Sequence, residues 1–242
     1  MAERRYHHGD LRSALLDVAE VLIRERGADG WSLREASVRL EVSPSAAYHH
    51  FDSREALMRA LSDRVLVRLG ERLGRAASRV PGGGQQRLIA VARSYVRWAL
   101  EDPAIARLTF GAGRSEPGTP ISPHPHDVVV AELDRLVDGG DLPASARPGA
   151  EFVVWAAVHG LAVLLADGLI RLDGQREVDR EVERVVAAAL TGLAHEPPRS
   201  PAWPTPRSSH TERLARDGGP TAPSDTPVTS PDHRRAGITR SG

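Results

Sequence analysis

The chain has 242 residues with 32 basic and 32 acidic side chains, so its formal charge is zero and whole-chain electrostatics favour neither nucleic acid nor a membrane surface. It contains no cysteine, which excludes disulfide frameworks, thiolate metal sites and cysteine nucleophiles. A chain of this length can build one sizeable helical domain, or a small domain docked on a larger one, without metals or disulfides.

Every basic residue is Arg, which suits bidentate recognition of phosphate and guanine and also fits the codon usage of a GC-rich genome. The opening stretch MAERRYHHGDLRSALL has charges but no uninterrupted apolar segment after them, so it does not read as a signal peptide and the chain is expected in the cytoplasm. Phe152 to Ile170 is nearly long enough to span a bilayer. His159 and Asp167 lie inside it and would be costly there, so it reads as a buried core helix and no membrane partner is expected.

In chain order, residues 9–26 form the first predicted helix, with Leu11, Leu15, Val18, Ala19, Leu22 and Ile23 on one face. Gly27 then stands where a helix takes a left-handed cap. Ser32-Leu33-Arg34-Glu35 is a capping box that starts a short helix at Leu33, the Ser hydroxyl taking the third N–H and Glu35 reaching back. Ser43-Pro44 starts a third helix, with Ser43 as N-cap and Pro44 at the position where a missing N–H is harmless. Asp52-Ser53-Arg54-Glu55 is another cap with an acid three residues on. It opens a long helix through Leu57, Leu61, Val65, Leu69 and Leu73 to about Ser78. Two short helices joined by a tight turn and clamped between longer ones predict a helix-turn-helix.

Pro81-Gly82-Gly83-Gly84 ends the long helix, and helical patterns follow at residues 85–101, 103–110, 126–138, 149–171 and 176–195. The expected fold is therefore all-α: a DNA-binding unit at residues 1–55, a helical body at 56–195 and a tail. The long helix connects the first two. The loop Gly111 to Pro125 is long enough to suggest a mobile or functional segment. Residues 197–242 hold nine of the eighteen prolines with few large apolar side chains, and are expected to be disordered.

The segment Val42-Ser43-Pro44-Ser45-Ala46-Ala47-Tyr48-His49-His50-Phe51-Asp52-Ser53-Arg54-Glu55-Ala56-Leu57 resembles the tetracycline-repressor (TetR-like) family, whose motif reads V-S-x-x-x-x-Y-x-H-F-x-S-K-E-x-L. Arg54 replaces the commoner Lys and keeps its charge. Tyr6-His7-His8-Gly9-Asp10-Leu11-Arg12 and Trp155-Ala156-Ala157-Val158-His159-Gly160 are similar to signatures of one branch of that family. The resemblance implies a transcriptional regulator, by family habit a repressor, whose homodimer binds a double-stranded DNA operator and answers to a small-molecule effector. No cofactor is implied.

A recognition helix needs small or polar side chains at its first turns to enter the major groove, which Ser45, Ala46 and Ala47 supply. The resemblance adds a phosphate contact for Tyr48 and further backbone or base contacts for Ser43, His49 and Arg54. Ser32 and Arg34 stand near the N-terminal end of the preceding helix, where phosphate contacts are favourable. His50 and Phe51 are expected to pack, and Arg4 and Arg5 could form a minor-groove arm. Residues 1–79 carry fourteen Arg against twelve acids, a small excess for a DNA-binding unit.

In the body, Val178, Val182, Val185, Val186, Ala189, Leu190 and Leu193 form an apolar stripe. The resemblance makes this stripe, with the helix before it, a four-helix dimer contact; core packing is the alternative. Trp98, Arg107, Phe110, Trp155 and His159 are the candidate effector-binding residues. A helical protein-interaction adaptor is a second reading. A metal-dependent enzyme using His124, His126, His159 or Asp167 is a third, although no HExxH, phosphate-loop or nucleophile-elbow pattern accompanies them.

Overall fold

The computed structural model describes residues 8–111 and 122–195, and all regular structure among them is helical. The arm at residues 4 and 5, most of the Gly111 to Pro125 loop and the tail from residue 196 lie outside the described residues.

Helix α1 (His8–Arg26) buries Leu11, Leu15, Leu16, Ala19, Leu22 and Ile23, and ends where Gly27 turns at φ +79° and donates its N–H to Ile23 O over 2.8 Å. Helix α2 (Leu33–Arg39) starts at Ser32, whose Oγ accepts from Glu35 N at 3.2 Å. Glu35 does not complete the expected box; its carboxylate meets Arg26 at 2.6 Å and ties α2 to the end of α1. The turn into α3 (Pro44–His50) puts Glu41 at φ +56°, after which Ser43 Oγ caps α3 by accepting from Ala46 N at 3.2 Å. For α4 (Arg54–Ser78) the cap falls on Ser53, which accepts from Ala56 N at 3.0 Å.

The long helix α4 carries two cores in succession. Leu57, Leu61 and Val65 close the core of α1 to α3, while Leu69, Leu73 and Ala77 belong to the body. Helix α5 (Gln85–Glu101) supplies the centre of the body through Leu88, Ile89, Ala92, Tyr95 and Val96. Around it pack α7 (Pro125–Asp138), α8 (Ala150–Ala166) and α9 (Gln175–His195). Burial of each large aliphatic side chain in these cores contributes about 1.5–3 kcal/mol. Between α4 and the segment before α7 the backbones nearly touch: a Cβ at Gly70 would lie 2.0 Å from Pro123 O. Arg87 on α5 closes a bidentate pair with the buried Glu132 on α7, at 2.8 and 2.9 Å.

Two expectations about the body change. The helix read as 149–171 stops at Ala166, because Asp167 and Gly168 form a Schellman ending. Gly168 sits at φ +71° and donates to Leu165 O, and Leu169 N reaches Leu164 O at 2.9 Å. No helix among the described residues is long and apolar enough to cross a membrane. The α9 stripe also turns inward: Val178, Val182, Val186 and Leu193 are buried in the chain's own core, and Val185, Ala189 and Leu190 pack against it. The outer face of α9 presents Arg184, Ala188, Thr191, Gly192 and His195 instead. A short 3-10 turn, Ala144–Ala146, was not foreseen.

Candidate nucleic-acid interface and effector cleft

Helix α3 is two-faced. Ala47 is fully buried and Phe51 nearly so, held among α1, α2 and the start of α4, with the Arg12 guanidinium 4.9 Å from the Phe51 ring centre. The opposite face exposes Pro44, Ser45, Tyr48 and His49, positions that fall together at helical spacing of three and four. Tyr48 is 50% exposed, unusual for an aromatic ring. Ala46 is half-buried. The expectation that Ala47 faces bases is therefore corrected: its methyl fills the core that holds α3 in place.

Arg54 is also redirected. Its guanidinium lies 5.0 Å from the Trp31 ring centre, with Asp29 and Glu55 carboxylates each at 3.6 Å, so it clamps the α1–α2 turn rather than projecting outward. Ser32 and Arg34 are exposed beside α3, and Arg34 has no acidic partner among the described residues. Ser43 is exposed while serving as the α3 cap. The outward polar set is thus Ser32, Arg34, Ser43, Ser45, Tyr48 and His49, on two short helices whose inner faces are fixed by packing.

A cleft of about 160 Å³ opens in the body between α5, α6 (Pro103–Gly111) and α8. Of the five candidate effector residues, Arg107, Phe110 and His159 line it. Trp155 lies behind His159, stacked with it at an interplanar angle of 5°, and faces the core between α5 and α7. Trp98 is not in the cleft lining; it borders a polar hollow with Glu20, Arg24 and Arg68, its ring centre 6.3 Å from that of Phe110. The correction has a helical cause: Tyr95 and Ala99 take the cleft-facing positions of α5, and Trp98 falls on the flank.

Tyr95 was missed in the sequence. It lies 4.9 Å from Trp155, 6.1 Å from Phe110 and 6.2 Å from His159, ring centre to ring centre, and its hydroxyl meets His159 Nδ1 at 2.6 Å. Burial pushes its phenol pKa up and holds that of the His159 imidazole below its ordinary value. A Tyr within the apolar stripe of α5 was the available signal, since a buried phenol needs a partner for its polar tip. At the rim, Arg107 pairs with Asp167 at 2.8 Å. Among the described residues no three His, Asp or Glu side chains gather as metal ligands would.

Helix α6 is shared between the two regions. Ile105 and Leu108 are buried in the core of the helix-turn-helix, while Pro103, Ala106, Arg107 and Phe110 line the cleft. Its start is tied to α1 through Asp102, which accepts from Arg24 Nε at 2.7 Å and from Ile105 N at 3.3 Å. Glu20 extends the tie by receiving Arg24, Arg64 and Arg68 at 2.5, 3.1 and 2.8 Å.

Two family models match the chain: the bacterial regulatory proteins of the tetR family over residues 15–61, and the tetracyclin repressor-like C-terminal domain over residues 88–189. Among curated proteins, an uncharacterized HTH-type transcriptional regulator of Bacillus subtilis (strain 168), YobS, is 27% identical over 158 residues, covering 65% of this chain and 80% of the relative. A solved Rhodococcus sp. RHA1 protein of unknown function is 30% identical, with TM-score 0.68 over 80% of this chain and 100% of that one. A TetR-family regulator from Pectobacterium atrosepticum shares the fold at TM-score 0.60 and 19% identity, over 81% of this chain and 100% of that one. An all-helical body behind a capped helix-turn-helix, matched in both parts by models of one family, places the chain in the TetR family of transcriptional regulators.

Proposed function

We propose that the protein is a repressor that binds an approximately palindromic operator as a homodimer and leaves it when a small, mostly apolar effector enters the α5–α6–α8 cleft. The observation that carries this reading is the double membership of α6, whose Ile105 and Leu108 sit in the DNA-binding core while Phe110 and Arg107 border the cleft. An occupant that moves α6 must move what α1 and α4 pack against. It weakens DNA binding to the extent that it prefers that displaced arrangement, by about 5- to 150-fold for a typical coupling of roughly 1–3 kcal/mol.

Ser45, Tyr48 and His49 are assigned to the major groove and its phosphates, with Ser32, Arg34 and Ser43 positioning the helix on the backbone. Dimerisation is assigned to the outer faces of α8 and α9. On α8 these are Phe152, Ala156, Gly160, Val163 and Leu164, where exposed apolar side chains flank a glycine with open space around it. Two-fold symmetry would then set half-sites about one helical turn, roughly 34–36 Å, apart.

The test is selection of bound duplexes from random DNA, followed by anisotropy titration of the selected site. Tyr48→Ala is expected to weaken binding at least about tenfold while leaving the thermal midpoint unchanged. Parent-like affinity in that variant, or failure to enrich any palindrome, refutes the assignment.

A further inference from the structure

The hydrogen bond between Tyr95 and His159 determines which kind of group the cleft can receive. Tyr95 is buried among apolar and aromatic neighbours, and its hydroxyl has no hydrogen-bond partner among the described residues other than His159 Nδ1. If Nδ1 carried the proton and donated, the phenol hydrogen would be left buried with no acceptor. The arrangement that satisfies both groups is Tyr95 O–H donating to an unprotonated Nδ1. A neutral His159 must then carry its proton on Nε2. Nε2 has no partner among the described residues and is not among the buried unpartnered atoms, so this N–H opens on the cleft that His159 lines.

Apart from Tyr95 and His159, the polar groups of the cleft, Arg107 and Asp167, stand at its rim. Ala99, Ala106, Ala162 and Phe110 are apolar walls, and the one carboxylate, Asp167, is engaged by Arg107 at the rim so that the pair carries no net charge. A volume of about 160 Å³ matches a single ring, since an apolar cavity of about 150 Å³ takes up benzene.

We propose that the cleft selects uncharged one-ring compounds bearing a hydrogen-bond acceptor, such as a ketone or ester carbonyl, received by His159 Nε2–H and held in that tautomer by Tyr95 as a positioning residue. This rests on the reading of the same cleft as the effector site. An ammonium compound would set a donor against the His159 donor, and a carboxylate would have to leave water close to Asp167, the acid paired with the cleft's one cation, Arg107.

The experiment titrates the full-length protein with acetophenone, ethylbenzene, 1-phenylethylammonium and benzoate by calorimetry, and reads the His159 tautomer from two-bond ¹⁵N–¹H spectra assigned with His159→Gln. Acetophenone is expected to bind about 5-fold or more tightly than ethylbenzene, with both ions weaker than acetophenone, and Nε2 is expected to carry the proton in the free protein. Tyr95→Phe is expected to remove the tautomer preference and to narrow the gap between acetophenone and ethylbenzene. A protonated Nδ1 in the parent overturns the proposal whatever the variant does. So does equal binding of ethylbenzene, tighter binding of either ion, or no binding of any of the four. Acetophenone binding with the expected preference but without release of operator DNA would refute the effector reading and leave the selectivity standing.

Discussion

Replacing Glu20 with Gln keeps the shape of α1 but removes the charge on which three guanidiniums converge. The Glu20 side chain is only 9% exposed, and it holds Arg24 at 2.5 Å, Arg68 at 2.8 Å and Arg64 at 3.1 Å. Breaking a fully buried ion pair costs about 3–5 kcal/mol. Here Arg24 and Arg68 are about half exposed and Arg24 keeps Asp102, so screening lowers the expected loss to about 2–3 kcal/mol. For a domain of this size that corresponds to a fall of roughly 4–12 °C in Tm. Burial alone would raise the Glu20 pKa, but the Arg68 and Arg24 contacts outweigh it and hold the pKa below its ordinary 4.5. A depressed folded-state pKa contributes stability that is present above pH 4.5 and lost as pH falls through the folded value. Urea titrations should therefore show the parent ahead of Glu20→Gln at pH 7, with the gap closing as pH falls below 4.5. Equal urea midpoints at pH 7, or a gap that persists undiminished in acid, would refute the reasoning.

Gly70→Ala should destabilise by about 2–3 kcal/mol in urea, because the new methyl would sit 2.0 Å from a main-chain carbonyl that has to move. Arg87→Leu leaves the buried Glu132 with only Arg135, at 3.7 Å, and should cost about 3–5 kcal/mol; Arg87→Leu with Glu132→Leu should recover most of that loss. Ala188→Arg, on the outer face of α9, should give a folded monomer in sedimentation with weakened operator binding, whereas Val182→Arg should unfold the chain, since Val182 has no exposed surface. Equal circular dichroism melts for those two variants would contradict the assignment of faces.

The local features of the N-terminal region were legible from residue order because each is set within a few positions of chain. Ser32 and Ser43 cap the helices they precede, Gly27 takes the left-handed turn, and Pro44 opens α3, while the α4 cap, read at Asp52 with Glu55 three residues on, falls one residue later on Ser53. The cores of α1 and α4 follow from apolar spacing for the same reason. At α8 that logic overran, because its residues are apolar nearly all round and periodicity marks no end. The stop came from the left-handed Gly168.

Facing and partnership were decided by tertiary structure. The α9 stripe is amphipathic whether it meets a second subunit or its own body, and only the packing of Val182 and Val186 against α5 and α8 selects the body. Ala46 and Ala47 are the same residue in sequence, yet the roll of α3 on α1 and α2 buries the second and leaves the first half-exposed. The cleft joins residues far apart in the chain, Arg107 with Asp167 at 60 positions and Tyr95 with His159 at 64, and Tyr95 becomes part of it only because α5 and α8 cross with its hydroxyl 2.6 Å from His159 Nδ1. Residue order along this chain determined which segments are helices, where their caps lie and which family motif they carry. The assembled structure alone decided which face of each helix is inside, because burial depends on neighbours that helical periodicity does not identify.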